Sequence, residues 1–510
     1  MTHNDSLQAT HQPPKINPDA VAGPLMVSKA NPRYFTVASN ADREAIYLTG
    51  SHIWNNFNDG MGPGPDCAEI LEQFDYNAYL QFLKERGHNF IRLWRWEQFK
   101  SQAAGGGFHL CMTPQPWART GPGNAKDGKP KFNLDSFEPA FFSRLRERVI
   151  AAGNEGIYVA VMFFDGWALH LSPAPDNVEG HPFFGANNVN GVEITSIVDY
   201  QVLPLDTRVQ AFQEAYIHKV IDTVHDLPNV LWEVANESSG GGSVDKEFAE
   251  ALGLGDPPEW GDSTEWQYWV INVVKQYEQQ MGYNKHPIGM TMQFPVSEQT
   301  RVNDPLFNSP ADWISPGYDD EIFTGGQHPM APGSPPSRWY DNPPASDGRK
   351  VVITDTDHYA PGKGDALWAW KSFLRGYHPI LMDFGIIDLL NRRDPSFEAF
   401  EPARYAMGDT RRFAKRMKLI EMEPRGDLSS TGYALANPGE EYLILQPSES
   451  AETFTVELAA GSYTVQWYSV NSRETVGAGR VTFESPISVR FSPPFKKAGP
   501  DVLYLKKVKA

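Results

Sequence analysis

Cysteines and long apolar runs are scarce in this chain. Only Cys67 and Cys111 are cysteines among 510 residues, which is too few for a disulfide framework and lacks metal-site spacing. No stretch of about 18 apolar residues occurs, so we expect no membrane-spanning helix and no membrane partner. The opening stretch MTHNDSLQATHQPPK contains no apolar signal-peptide core. The sequence as given therefore predicts a cytoplasmic protein, or a secreted one if a leader was removed.

Basic residues are also fewer than acidic ones. Lys and Arg together number 45 against 63 Asp and Glu, and the formal net charge is −18. A surface this acidic repels phosphate backbones, so nucleic acid is not an expected partner. A homo-oligomer remains open.

Three motifs of common enzyme classes are missing. No G-x-G-x-x-G follows the first predicted strand, no G-x-S-x-G stands at a strand-to-helix turn, and His52 is alone in the first strand. These absences disfavour a dinucleotide-binding open sheet, a serine hydrolase and a metal-dependent barrel hydrolase. We therefore expect no cofactor and no catalytic metal.

Short apolar runs alternate with amphipathic helices along most of the chain. Continuous apolar strands separated by helices indicate a parallel sheet covered by helices, and eight such units predict a (β/α)8 TIM barrel of the α/β class over residues 21–424. The long segments 101–133, 171–200, 238–264 and 296–348 are expected as loops on its C-terminal face. The predicted strands are 46–55, 90–97, 157–167, 230–236, 287–295, 313–317, 350–354 and 379–385.

The two ends of the chain differ from the barrel region in their pattern of apolar and polar residues. Residues 1–20 are polar and are predicted to form a disordered tail. Residues 425–510 alternate apolar and polar side chains with frequent turn signals, which predicts a small antiparallel β-sandwich domain.

Acidic residues stand at the ends of several predicted strands. Glu237 ends the fourth strand, and Asp355 and Asp357 end the seventh, which faces the fourth across the mouth of a barrel. A pair of carboxylates at such a distance suits glycosidic bond cleavage, in which one acid protonates the leaving oxygen. The alternative is that these residues are only helix caps or loop anchors.

The stretch VLWEVANE (230–237) resembles the acid/base strand of clan A glycoside hydrolases, the family 5 cellulase-like barrels. GHNFIRL (87–93) resembles the second strand of the same barrels, and the C-terminal region resembles the small domain named collagen-binding in apiosidase-like proteins of that clan. The resemblance implies a glycosidase with Glu237 as general acid/base, Asn236 on the sugar 2-hydroxyl and Arg92 beneath the nucleophile.

The seventh strand departs from that family pattern. Where the family has a glutamate, this chain has VITDTDHY, so Asp355 is the first candidate for nucleophile or base and Asp357 the second. Aspartate is one methylene shorter, which would widen the gap and favour inversion, unless a backbone shift preserves retention.

Further residues near the strand ends are candidates for sugar binding. With 14 Trp and 20 Tyr, the chain has aromatic side chains to spare for stacking on sugar rings, although core packing also explains them. We expect a carbohydrate partner and exo-action on a short plant or microbial glycan. Two alternatives stay open: a catalytically silent carbohydrate-binding barrel, and a metal-dependent hydrolase using Asp355, Asp357 and His358. The candidate sugar-binding residues are Trp94, Trp96, Trp167, Asp165, Tyr318, His358 and Asp383.

Overall fold

The structure of the chain is a computed structural model. The expected tail at 1–20 lies mostly outside the residues it describes, as do parts of the expected loops 101–133, 171–200, 238–264 and 296–348. The described residues are 16–17, 20–40, 43–62, 73–102, 109–171, 178–242, 260–296, 299–319, 336–386, 395–497 and 499–508.

Eight parallel strands form the central barrel. Each strand pairs in parallel with the next around the ring, in the order β1, β8, β7, β6, β5, β4, β3, β2. The first and last strands of this order, β1 and β2, are joined by the residues that precede them: the Asn89 amide donates to the Thr49 carbonyl at 3.0 Å. The predicted TIM barrel is confirmed. Its strands are β1 (Gly50–His52), β2 (Phe90–Leu93), β3 (Tyr158–Asp165), β4 (Val230–Asn236), β5 (Ile288–Thr291), β6 (Trp313–Ser315), β7 (Val351–Asp355) and β8 (His378–Met382).

Amphipathic helices cover the barrel. Aspartates begin several of them: the side chains of Asp75, Asp206 and Asp365 each accept a backbone N–H of the first turn. No helix in the described residues has both the length and the apolarity needed to cross a membrane. The main helices are α1 (Tyr76–Glu85), α2 (Pro139–Asn154), α3 (Thr207–Val224), α4 (Thr264–Met281), α5 (Gln299–Asn308), α6 (Ala366–Leu374) and α7 (Glu401–Arg416), and the shorter ones are Trp167–Leu171, Val198–Gln201, Arg338–Asp341, Thr356–Tyr359 and Pro395–Ala399.

The segment that we expected to be a loop after β2 contains strands. Trp117–Asn124 pairs with Pro130–Phe137 as a hairpin, and His109–Thr113 pairs with both Asp59–Gly62 and Ser101–Gln102. Glycines that turn the chain obscured the strand pattern, since Gly121, Gly123 and Gly128 all have positive φ. Cys111 lies in this small sheet and is disulfide-bonded.

The C-terminal region forms the predicted antiparallel β-sandwich. One sheet has the strand order β9, β10, β11, β16, β13, β14, and β12 pairs with β15 in the other. The sandwich packs on α6 and α7, where the Trp370 and Tyr468 rings lie 5.6 Å apart and Arg473 Nε donates to Asp409 at 2.8 Å. Its strands are β9 (Glu423–Pro424), β10 (Ala434–Asn437), β11 (Glu441–Gln446), β12 (Phe454–Leu458), β13 (Gly461–Ser469), β14 (Thr475–Phe483), β15 (Ile487–Phe491) and β16 (Asp501–Lys507).

Candidate active site

Arg92 connects three strands inside the barrel. It projects from β2, is fully buried, and donates Nε to both carboxylate oxygens of Glu233 at 3.1 and 3.0 Å. Its Nη1 donates to Asp355 Oδ2 at 2.9 Å, and its Nη2 donates to Asn236 Oδ1 at 2.7 Å. A planar guanidinium suits this role because its five N–H groups point outward in a fixed fork. The arginine therefore brings the ends of β4 and β7 together.

Asp355 is held as a carboxylate at the end of β7. Its Oδ2 accepts from Arg92 and lies 2.7 Å from His52 Nε2, and its Oδ1 accepts the Asp357 amide at 3.0 Å. Burial opposes the charge of Asp355, but His52 and Arg92 outweigh it and lower the pKa of Asp355 below its ordinary value. Asp355 is therefore ionised at neutral pH, with both oxygens engaged.

Asp357 differs from its neighbour in exposure and in charge. Its side chain is 12% exposed, and its Oδ2 lies 3.6 Å from Arg92 Nη1 and 3.8 Å from His358 Nε2. Burial and the negative charge of Asp355 raise the pKa of Asp357 to about 7. This carboxyl group therefore changes its charge near neutral pH.

Glu237 follows directly after β4 in an uncommon backbone conformation. Its φ is 42°, a region that residues with a side chain rarely adopt and that is concentrated at functional sites. The chain fits because Gly166 lies against it: a Cβ added to Gly166 would stand 2.3 Å from the Glu237 carbonyl oxygen. Burial, followed by the charges of Asp357 and Asp165, raises the pKa of Glu237 well above its ordinary value. These surroundings therefore favour the protonated form of Glu237.

His358 fixes the orientation of Asn236. Its Nε2 lies 3.1 Å from Asn236 Oδ1, and its Nδ1 lies 2.7 Å from Ser315 Oγ. Burial and the charge of Arg92 lower the pKa of His358 to about 3, so the ring is neutral. Since Asn236 Oδ1 accepts from Arg92, the consistent tautomer donates from Nε2 to that oxygen and accepts from Ser315 at Nδ1. The amide nitrogen of Asn236 is left to donate elsewhere.

Solved structures of glycoside hydrolases have the same architecture. One titled glycoside hydrolase matches 95% of this chain and 97% of its own, with 14% identity and a TM-score of 0.56. One titled glycoside hydrolase family 5, from Bacteroides vulgatus, matches 95% of this chain and 94% of its own, with 13% identity and a TM-score of 0.58. The chain has the fold of glycoside hydrolases. Its resemblance to family 5 barrels is thereby confirmed at the level of the fold.

Sequence comparison adds no closer relative. No protein-family model matches the chain, and no curated protein matches it. At the identities above, the likeness to solved glycoside hydrolases concerns the fold alone, and the roles of individual residues depend on the geometry of this site.

The three candidate tryptophans occupy different surroundings in the glycoside hydrolase fold. Trp94 lies at the site, with its ring 4.9 Å from Arg92 Cζ, but it is only 2% exposed. Trp96 is also buried, packs against Trp54 and donates Nε1 to Ser101 at 3.1 Å. Trp167 follows β3 and is half-buried. Trp167 thus keeps the largest exposed share of the three.

Asp165 lies beside the end of β4. It ends β3 as the register partner of Asn236, and its amide donates to Glu97 Oε1 at 2.7 Å. Burial and the charge of Glu97 raise the pKa of Asp165 well above its ordinary value. Tyr318, the candidate after β6, is buried.

Asp383 is engaged by the outer layer of the barrel. Its two carboxylate oxygens accept from Arg404 Nε and Nη2 of α7, each at 2.7 Å, and both side chains are fully buried. This bidentate pair ties the end of β8 to α7.

We expect Asp383→Asn to lower stability rather than substrate affinity. The substitution removes the bidentate partner of the buried Arg404 guanidinium and leaves it only a single carboxylate contact, with Glu401 at 3.1 Å, which costs about 3 kcal/mol. Thermal unfolding and KM together test this, with Asp347→Asn as the matched control because the Asp347–Arg349 pair is exposed. A raised KM with unchanged stability would instead support direct substrate binding by Asp383.

Two residues of the site were not singled out in the sequence. Glu233 was hidden in an apolar strand, although a charge inside a buried strand has to be paired and so points to a partner such as Arg92. The sequence indicates His52 only in connection with a metal site, whereas its Nε2 lies 2.7 Å from Asp355 Oδ2. Among the described residues, no three or more His, Cys, Asp or Glu side chains form a metal-holding group.

Proposed function

We propose that the chain is a glycoside hydrolase that cleaves an O-glycosidic bond with two carboxyl groups. The observation that carries the proposal is that the pKa values of two acids at the ends of β4 and β7 are shifted in opposite directions. Burial and nearby carboxylates favour the protonated form of Glu237, whereas Asp355 is ionised beside His52 and Arg92. Environments that shift the pKa values of two acids in opposite directions distinguish the proton donor from the anionic partner.

In the proposed reaction, Glu237 gives its proton to the glycosidic oxygen as the bond to the anomeric carbon breaks. An ionised aspartate of the β7 end either attacks the anomeric carbon or takes a proton from an attacking water. If the first step is covalent, ionised Glu237 then removes a proton from the water that attacks the anomeric carbon and releases the aspartate. Asn236, oriented by Arg92 and His358, donates its amide N–H to a sugar hydroxyl.

We assign the anionic role to Asp355, with Asp357 as the alternative. Asp355 meets the requirement for charge, since its pKa is lowered by His52 and Arg92. Asp357 meets the requirement for access, since its side chain is 12% exposed, but it carries its charge mainly above a pH of about 7.

Chemical rescue separates the two aspartates. We expect azide to restore turnover of an activated aryl glycoside by Asp355→Ala, with the azide attached to the face opposite the leaving group. Azide is small and needs no base, so it replaces a lost nucleophile or base. Rescue of Asp357→Ala alone would transfer the role to Asp357. Proton NMR of the first sugar released by the wild type then distinguishes retention from inversion.

A panel of aryl and natural glycosides tests the function itself, with and without a chelator. We expect cleavage of at least one glycoside that a chelator leaves unchanged, and release of terminal sugars from short glycans. Sugar binding without cleavage would favour the silent carbohydrate-binding barrel, and chelator-sensitive cleavage would favour a metal-dependent hydrolase.

A further inference from the structure

A cavity of about 510 Å³ lies at the end of the barrel away from the candidate active site. Its wall includes Asn89 and Tyr158, which stand where β2 and β3 begin, whereas Glu237 and Asp355 stand where β4 and β7 end. The C-terminal half of α7 closes the other side. The cavity is therefore separate from the carboxylate pair, and its role does not rest on the proposed hydrolase activity.

The lining of this cavity is cationic in a chain with a net charge of −18. Among the described residues, four basic side chains line it, and Glu44 is the one acidic residue that does so. Lys418 is paired with Glu421, but the described part of the chain provides no ion-pair partner for Arg411, Lys415 or Arg43. The basic lining residues are Arg43, Arg411, Lys415 and Lys418.

Arg411 is half-buried, whereas Arg43, Lys415 and Lys418 are exposed. It donates Nη1 to the Gly87 carbonyl at 2.8 Å, while its Nε is buried without a hydrogen-bond partner. Burial lowers the pKa of Arg411 to about 10, and burial together with Arg411 lowers the pKa of Lys415. The two are four residues apart and so share a face of α7. The negative end of the helix dipole stabilises the charge of Lys415, which lies in the last turn of α7. Arg411 precedes that turn, so the dipole does not stabilise its charge in the same way.

We propose that this cavity binds a small organic anion through Arg411, Lys415 and Arg43. A phosphate, sulfate or carboxylate group there would accept from Arg411 Nε, which has no acceptor in the part of the chain that the structure describes, and from the exposed Lys415 and Arg43. The rest of the ligand would lie on the apolar part of the wall. The apolar lining residues include Val21, Ile46, Met417, Leu419 and Ile420.

An adjoining cavity fixes which end of the ligand is anionic. It has a volume of about 810 Å³ and shares Arg43, Lys418 and Ile420 with the first, but it is also lined by Glu421 and Glu423. Those carboxylates repel an anion, so the charged group belongs in the first cavity and an uncharged extension belongs in the second.

Calorimetric titration with inorganic phosphate, sulfate and acetate tests the site, at an ionic strength held constant with chloride. We expect saturable binding of at least one anion, and about tenfold weaker binding to Arg411→Met, as loss of one charge-assisted contact implies. Arg480→Met, an exposed arginine of the sandwich, is the matched control and should bind as the wild type does. The anion preferred identifies the chemical class of the charged group.

Two results would overturn the proposal. One is the absence of saturable binding of all three anions to the wild type, and the other is equal binding by Arg411→Met and Arg480→Met. If Arg411→Met does not fold, Arg411→Lys replaces it, because lysine keeps the charge but loses the forked geometry. We expect Arg411→Lys to bind more weakly than the wild type, and unchanged affinity in this folded variant would also contradict the proposal.

Discussion

Glu237→Gln is expected to lower kcat/KM by about a thousandfold on glycosides with a poor leaving group, in keeping with the usual contribution of a general acid. Glutamine has nearly the same shape as glutamic acid but cannot transfer the proton. The loss should be much smaller with a strongly activated aryl leaving group, which departs without protonation. Equal losses on both substrates would mean that Glu237 supports the structure of the site rather than donating a proton.

The pH profile of kcat/KM provides the second readout for this variant. Because the pKa of Glu237 is raised, the wild type should lose activity as pH rises through that value and the proton is lost. Glu237→Gln should lack this alkaline limb, while Glu214→Gln, on the exposed face of α3, should keep it. The acidic limb should lie well below neutrality if Asp355 is the partner, and near a pH of about 7 if Asp357 is.

Patterns of apolar residues predicted the barrel, because its strands are buried on both faces and its helices on one. Strand β4 shows this: the predicted run 230–236 and the observed Val230–Asn236 coincide. The hairpin Trp117–Asn124 with Pro130–Phe137 was not predicted, since its strands are half exposed and interrupted by glycines at positive φ. Periodicity detects burial, and a strand that is barely buried leaves a weak signal.

The candidate site was predictable in its strand-end members but not in its connections. Arg92, Asn236, Glu237 and Asp355 stand at the ends of strands, where a barrel collects functional residues. The proton states of the acids were not predictable, because they follow from burial and from distances among side chains far apart in sequence. Asp355 and Asp357 are two residues apart, yet contacts with Arg92 and His52 lower one pKa and the charge of Asp355 raises the other.

Arg92→Met is expected to disable the site and to destabilise the barrel together. Glu233 and Asp355 are fully buried, and removing the guanidinium leaves them without their main counter-charge, at a cost of about 3–5 kcal/mol. Activity should fall below detection, since Asn236 and Asp355 lose the group that orients them. Circular dichroism during urea unfolding measures the stability, and the activated aryl glycoside measures the activity.

A double substitution separates the electrostatic cause from a simple packing defect. We expect Glu233→Gln to recover a large part of the stability lost in Arg92→Met, because it removes one uncompensated charge, without recovering activity. The pH dependence has a definite sign. In Arg92→Met the buried carboxyl pKa values rise above those of the unfolded chain, so the folded state binds more protons, and its stability relative to the wild type should increase as pH falls from about 7 towards 4. A deficit that is constant with pH, and unchanged by Glu233→Gln, would show that Arg92 acts through packing and not through the carboxylates that surround it.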